Sequence, residues 1–244
     1  MLILLPPSET KRPGGVGISI DKLAIIWAAL DPARDRLIAA TQKVCANPKK
    51  AAEVFKLGPK LMGELEANQN LMTAPTMPAI ERYAGVLFDA LDYPTLDEAA
   101  KRRVGEQLFI QSALFGLLPA TEQIPYYRFS ATTKLPKINL RDVWTEAHKA
   151  VWPRLTKPIL DMRSKSYAQL NPIPEELERY ELDVFDDSGK ALNHFNKKAK
   201  GLFVRAAMTQ GLETVSDLPK IAKSVNLRIE IDGSSVRLIT PQGF

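Results

Sequence analysis

The chain has little with which to build a disulfide, a zinc site or a membrane span. Its 244 residues hold one cysteine, Cys45, and two histidines, His148 and His194. A lone cysteine excludes an intrachain disulfide, and its place in an apolar-periodic segment marks it as core. No Cys/His cluster has zinc-ligand spacing. There is no Walker-type glycine loop, no G-x-S-x-G and no G-x-G-x-x-G. A direct iron site would have to rely on carboxylates and water. No stretch approaches the roughly 20 apolar residues of a transmembrane helix. The opening run MLILL is too short for a signal h-region and has no positive charge before it. The expectation is a cytoplasmic protein in a reducing compartment, without cofactor, metal or membrane contact, and the missing signatures lean away from an enzyme without settling it.

What is present is an ordinary globular composition. Apolar residues make up 45% and charged residues 25%, with a net charge of +5. That balance supports a real core, and the mild basic excess permits nucleic-acid binding without requiring it. No repeat, low-complexity tract or flexible linker interrupts the chain, so residues 1–244 read as one domain of mixed α/β class, a central mixed sheet flanked by helices.

Leu2 to Leu5 reads as a buried strand opening at Pro6-Pro7 into a polar loop with Ser8, Thr10, Lys11 and Arg12. Residues 21–70 read as helical, with Asp31-Pro32 and Asn47-Pro48 as N-cap–proline pairs. Glu81 to Leu91 suggests a strand end or a tight packing contact. Thr95 caps a charged helix. Leu108 to Leu118 suits one long buried strand, with a buried helix as the alternative. Asp142 to Arg154 fits a helix and Ile159 to Met162 a strand. Leu182 to Phe185 reads as a strand, with Leu192 to Phe195 returning antiparallel to it. A helix from about Lys197 to Gln210 ends at Gly211, a short one covers Ser216 to Ser224, and Asp232-Gly233 turns a final hairpin.

Charge is unevenly spread. No Asp or Glu occurs from Ser188 to Leu212, while Lys190, Lys197, Lys198, Lys200 and Arg205 supply five positive charges. Such a run suits a polyanion or a phosphorylated ligand, or it is a solvated helix face. A second acid-free run, Gln123 to Arg141, places Arg128 among Tyr126, Tyr127 and Phe129, a combination that can stack on bases or clamp phosphates. A third group, Arg163, Ser164 and Tyr167, follows the strand at Ile159. Ser8, Thr10 and Lys11 follow the first strand. Polar residues gathered at several strand ends usually make a pocket.

Taken in order, LLPPSETK, SALFGLLP with PYYR, ILDMRSKSY and HFNKKAKG resemble the YaaA family of bacterial peroxide-stress proteins over nearly the whole chain. The resemblance implies a mixed α/β domain of unusual topology, a positively charged cleft, a helix-hairpin-helix element, DNA binding, and limitation of iron-mediated damage during peroxide stress. Its motif positions correspond here to Pro7 and Thr10, to Ser112, Gly116, Pro119, Tyr127 and Arg128, to Ser164 and Tyr167, and to Lys197, Lys198, Lys200 and Gly201. Two departures stand out. The Pro119–Arg128 spacing is one residue longer, with Glu122 best matching the expected acid. The Lys200–Lys223 region, the best helix-hairpin-helix candidate, lacks a Gly-x-Gly turn.

Two functions follow as expectations. The first is non-specific DNA binding through phosphate contacts from Ser8, Thr10, Lys11, Arg128, Arg163, Ser164, Tyr167, Lys197, Lys198, Lys200 and Arg205. The second is an enzyme or binder of a nucleotide or other phosphorylated small molecule in the same basic pocket.

Overall fold

A strand that is apolar at every position, such as LILL, needs cover on both faces. Leu2–Leu5 (β1) accordingly lies inside the sheet with all four residues buried. The structure, a computed structural model, describes residues 1–58, 64–191 and 196–241. After β1 come α1 (Asp31–Cys45), α2 (Pro48–Val54), α3 (Glu64–Gln69), β2 (Thr76–Pro78), α4 (Ala79–Arg82), α5 (Val86–Leu91) and α6 (Glu98–Gln107). Then follow β3 (Leu108–Ser112), β4 (Gly116–Pro119), β5 (Gln123–Pro125), α7 (Leu140–His148), β6 (Ile159–Asp161) and α8 (Lys165–Leu170). The chain closes with β7 (Arg179–Asp186), α9 (Asn196–Gln210), α10 (Leu218–Lys223), β8 (Arg228–Asp232) and β9 (Ser235–Thr240).

Seven strands form one sheet in the order β4-β3-β1-β6-β7-β9-β8, and β2 pairs with β5 separately. β3, β1, β6, β7 and β9 run parallel; β4 and β8 are antiparallel edge strands. Together with the surrounding helices this is a single mixed α+β domain. The chain leaves β1 toward β3 on one side and returns to β6 on the other. The carboxyl ends of β1 and β6 therefore flank a topological switch point, the usual ligand position in open α/β sheets.

Alternation divides the core. Ile3, Leu5, Ile110, Leu160, Leu182 and Val236 face the larger layer, which includes Phe203 and Val204 of α9. Leu2, Leu4, Phe109 and Ile159 face a smaller one with Trp152, Leu155 and Ile173. Helix α9 packs on α5. A Cβ on Gly201 would drive into the Leu87 carbonyl oxygen and lie 2.7 Å from the Ala90 Cβ, so glycine is required by close approach.

Several expectations change. Leu108–Leu118 is a hairpin rather than one strand. The Ser112 Oγ accepts the N–H groups of Leu114 and Phe115 and closes the turn, and Gly116 supplies φ +78°. Glu81–Leu91 holds the end of α4 and the whole of α5, with Gly85 at φ +107° between them; the tight contact expected there is the α5–α9 packing. Asn47 does cap α2, accepting from the Lys50 N–H. Leu30, not Asp31, holds the cap position of α1, and Asp31 turns instead to Arg34. Asp97, not Thr95, caps α6. The helix expected at Asp142–Arg154 is α7 followed by a separate 3-10 turn at Trp152–Arg154, broken where Pro153 cannot donate. The strand expected at Leu192–Phe195, and His194 with it, lies outside the described residues.

His148 is fixed as a neutral ring. Its Nε2 accepts the Leu117 N–H at 3.1 Å and its Nδ1 donates to the Trp144 carbonyl at 2.8 Å. Burial lowers its pKa to about 4. The unfolded chain takes up this proton below about pH 6.5, the folded chain only near 4, so stability falls as the pH drops through that window. Urea midpoints at pH 7 and pH 5 should differ more in the native protein than in His148→Asn; equal shifts would reject the assignment. Gly201→Ala should cost about 2–3 kcal/mol in urea unfolding, with an unchanged m-value.

Candidate functional site

The polar loop leaving β1 folds back so that Lys11 is buried, at 6% exposure. Its Nζ donates to the carbonyls of Ser8 (3.2 Å) and Glu9 (3.3 Å) and stands 4.3 Å from the Tyr127 ring centroid. Among the described residues no carboxylate forms an ion pair with it. Burial, followed by the nearby Arg128 charge, lowers its pKa to about 7. The Tyr127 hydroxyl meets Ser112 Oγ at 2.8 Å and the Tyr83 hydroxyl at 2.7 Å. Burial raises the pKa of both tyrosines, so both are neutral phenols at ordinary pH. Tyr167 is buried too, its hydroxyl accepting the Ala131 N–H, and burial raises its pKa.

Arg128 stands at the mouth, partly exposed. Its backbone is clamped by the buried Asn68, whose Oδ1 accepts the Arg128 N–H and whose Nδ2 donates to the Arg128 carbonyl, both at 2.8 Å. The guanidinium lies 3.5 Å from Glu9 and 3.5 Å from Glu64. Glu64 also accepts from the Tyr126 hydroxyl at 2.9 Å.

Other sequence candidates have different employment. Arg163 is buried on the opposite face of the sheet in a two-pronged pair with Asp161, at 2.8 and 2.7 Å. It also donates to the Gln111 side chain and the Asn171 carbonyl. Lys200, expected in an exposed basic run, turns inward and donates to the Met162 carbonyl at 2.8 Å; burial lowers its pKa. Arg205 donates to the carbonyls of Leu91 and Asp92 and closes the end of α5. Lys197, Lys198, Thr10 and Ser164 are exposed, and Ser8 is half-buried.

The structure thus gathers Ser8, Lys11, Arg128 and Tyr167 near one another at the carboxyl edge, with Lys200 reaching the chain beside Arg163. Four segments far apart in sequence, each carrying one of the motifs noted above, converge there. A family model described as "Peroxide stress protein YaaA" matches residues 1–230. The chain belongs to the YaaA family of peroxide-stress proteins. A UPF0246 protein of Corynebacterium glutamicum strain R is 39% identical over 238 residues, covering 94% of this chain and 95% of that protein. A UPF0246 protein of Streptomyces coelicolor is 35% identical over 241 residues, covering 95% and 93%. An uncharacterized protein of Campylobacter jejuni is 27% identical over 239 residues.

In this YaaA-family chain the described residues contain no group of three or more His, Cys, Asp or Glu placed to hold a metal. No described helix is long and apolar enough to cross a membrane. Sequence reasoning missed Tyr83, Glu64, Asn68 and Asp161 as members of these networks. Asp161 carried a signal, since an acid ending an apolar strand two residues before an arginine is well placed to pair with it.

Arg163 and Lys197 should behave oppositely. Arg163→Met leaves Asp161 buried without a partner and should cost about 3–5 kcal/mol, partly recovered by adding Asp161→Asn. Lys197→Ala should change stability by less than about 0.5 kcal/mol. Urea denaturation of the three variants decides it.

Proposed function

We propose that the protein serves peroxide defence by binding DNA non-specifically through phosphate contacts. The observation that carries this reading is the first turn of α9. Lys197 and Lys198 are both exposed there, and that turn contains no acidic residue. A helix begins with N–H groups that lack helical partners and with the positive end of its dipole. Adding two ammonium groups makes a site for a phosphodiester oxygen. Such contacts give affinity without reading bases. Protection of DNA from iron-generated oxidants would follow from coating the backbone, with no iron bound by the protein itself.

The helix-hairpin-helix expectation belongs to the same reading. Its two helices are α9 and α10, which pack together. The turn between them is closed by the Thr214–Asp217 capping box, so its backbone donors are engaged internally. That favours the α9 first turn over the hairpin as the phosphate contact.

The second reading, a phosphorylated small molecule, is supported by Lys11, a buried lysine after the first strand with no ion pair among the described residues.

Lys197→Ala with Lys198→Ala should weaken binding to unrelated duplexes alike and reduce the slope of log K against log salt by about two, roughly one per lysine. Fluorescence anisotropy across a salt series measures both. An unchanged slope would sink the assignment.

A further inference from the structure

We infer that two copies of this chain pair through β8, the open edge strand of the sheet, antiparallel about a two-fold axis at Glu230. The two sheets then join into one. Neither the DNA reading nor the small-molecule reading is needed for this.

The two edges of the sheet are treated differently. An edge strand presents unpaired backbone groups, and proteins usually block them with a proline, a bulge, an inward-pointing charge or a covering side chain. At β4 the edge is blocked. All four residues are buried, the Leu117 N–H is taken by the His148 Nε2, and Pro119 has no N–H to offer. β8 has none of these devices. Its register with β9 runs without a bulge from Arg228 to Asp232, and its inward positions are Ile229 and Ile231. Among the described residues no other strand or bridge pairs with it.

The hairpin decides which backbone groups face out. Gly233 at φ +55° opens a two-residue turn, so Asp232 and Ser235 form its closing hydrogen-bonded pair. Hydrogen-bonded and open pairs then alternate along the antiparallel ladder. Arg228, Glu230 and Asp232 thus point their N–H and C=O groups at β9, while Ile229 and Ile231 point theirs outward. Those outward groups have no backbone partner among the described residues. Pairing about Glu230 sets Ile229 opposite the partner's Ile231, and Ile231 opposite the partner's Ile229. Every outward N–H and C=O of both strands is then bonded. An axis at Ile229 would instead need the Leu227 N–H, which is already given to the Ala222 carbonyl.

The side chains are self-complementary in the same register. On the solvent face Arg228 comes opposite the partner's Asp232, and the symmetric contact repeats it. Opposite charges directly across an antiparallel pair stabilise it. Within one chain these groups are lightly engaged. Arg228 has a 3.6 Å contact with Glu230, and Asp232 makes no ion pair with another described residue. On the core face Ile231 is 40% exposed, and the partner's Ile229 covers it. The single like-charged pair is Glu230 against the partner's Glu230. Each of these carboxylates already lies 3.6 Å from Arg228 and 3.6 Å from Arg237, so the axis gathers more guanidinium groups than carboxylates.

Residues opposite one another in such a pair turn their side chains to the same face. Both larger layers, each with its α9, therefore lie on one side of the joined sheet. A pair of five-residue strands is a small interface, so the dimer is weak and concentration-dependent.

Sedimentation equilibrium of the full chain, from micromolar to near-millimolar concentration, tests the pairing. The expected result is a reversible monomer–dimer equilibrium. Arg228→Glu alone, or Asp232→Lys alone, sets like charges opposite one another twice and should weaken the dimer about tenfold or more. The two substitutions together should bring it back to within about threefold of the native value. Both positions are exposed, so urea midpoints should barely move, which separates pairing from folding. Glu230→Cys reads the register. Open pairs bring Cα atoms to about 4.5 Å, within disulfide reach, so oxidised glutathione should link two copies at the axis. The native chain, whose Cys45 is buried, should not be linked. A chain that stays monomeric throughout overturns the proposal and leaves the edge to a strand of another protein. So does a dimer that ignores the single charge reversals, one that the double reversal fails to restore, or a Glu230→Cys chain that does not cross-link.

Discussion

Buried and half-buried cations in this protein are held mainly by backbone carbonyls, and the long connections of the fold depend on it. Arg34 donates to the carbonyls of Phe115, Ile25 and Trp27, tying α1 to the β3–β4 turn and to the segment before α1. Arg82 donates to Ile124, Arg12 and Pro75, gathering β5 and two loops at one guanidinium. Lys200 ties α9 to the end of β6, Arg205 ties it to the end of α5, and Arg103 of α6 reaches Met208 and Thr209 at its other end. The reason lies in the irregular segments. Much of the chain between β1 and β3 is loop or short helix, and such segments contain carbonyls with no ladder partner. A guanidinium with five donors satisfies several at once, and the carbonyl dipoles in turn offset its charge. A basic composition is therefore a poor guide to a basic surface here.

That constraint explains which parts of the molecule were legible in its sequence. β1, β6, the closing hairpin and the end of α9 at Gly211 were readable, because apolar runs, Asp-Gly and a glycine stop are local signals. The β3–β4 hairpin was not, because its turn is closed by a serine side chain inside an unbroken apolar run. The basic run was legible as charge and misleading as surface, although the helical period already divides it. Lys200 shares its face with Phe203, Val204 and Ala207, all buried, while Lys197 and Lys198 fall outside that stripe. Arg163 was legible as a strand-end residue, but its partners Gln111 and Asn171 come from β3 and from the chain after α8. The cluster around Lys11 was the least legible. Lys11, Tyr83, Ser112 and Tyr127 come from four separate segments, and only the sheet order brings them together.

The two basic regions differ in physical kind. At the first turn of α9 the charges of Lys197 and Lys198 are exposed and adjacent in the chain, which would suit weak, additive, salt-sensitive contact with a polymer. At the carboxyl edge the charges are few and the donors are oriented in advance by buried partners: Asn68 for Arg128, Ser112 for Tyr127, and the β1 loop for Lys11.

The position of the second region follows from the topology. Because the chain departs from β1 in one direction and returns to β6 in the other, the loops above these two strands diverge, and the sheet edge between them is left to side chains. On the smaller-layer face that edge is closed by the Asp161–Arg163 pair, which satisfies its own charge. On the larger-layer face the corresponding place holds Lys11, which has no ion pair among the described residues and which burial shifts toward the neutral amine. The two faces of one strand edge thus accommodate a buried basic side chain in two different ways. Asp161–Arg163 meets the cost of burial with a counter-charge, and Lys11 meets it by giving up its proton more easily.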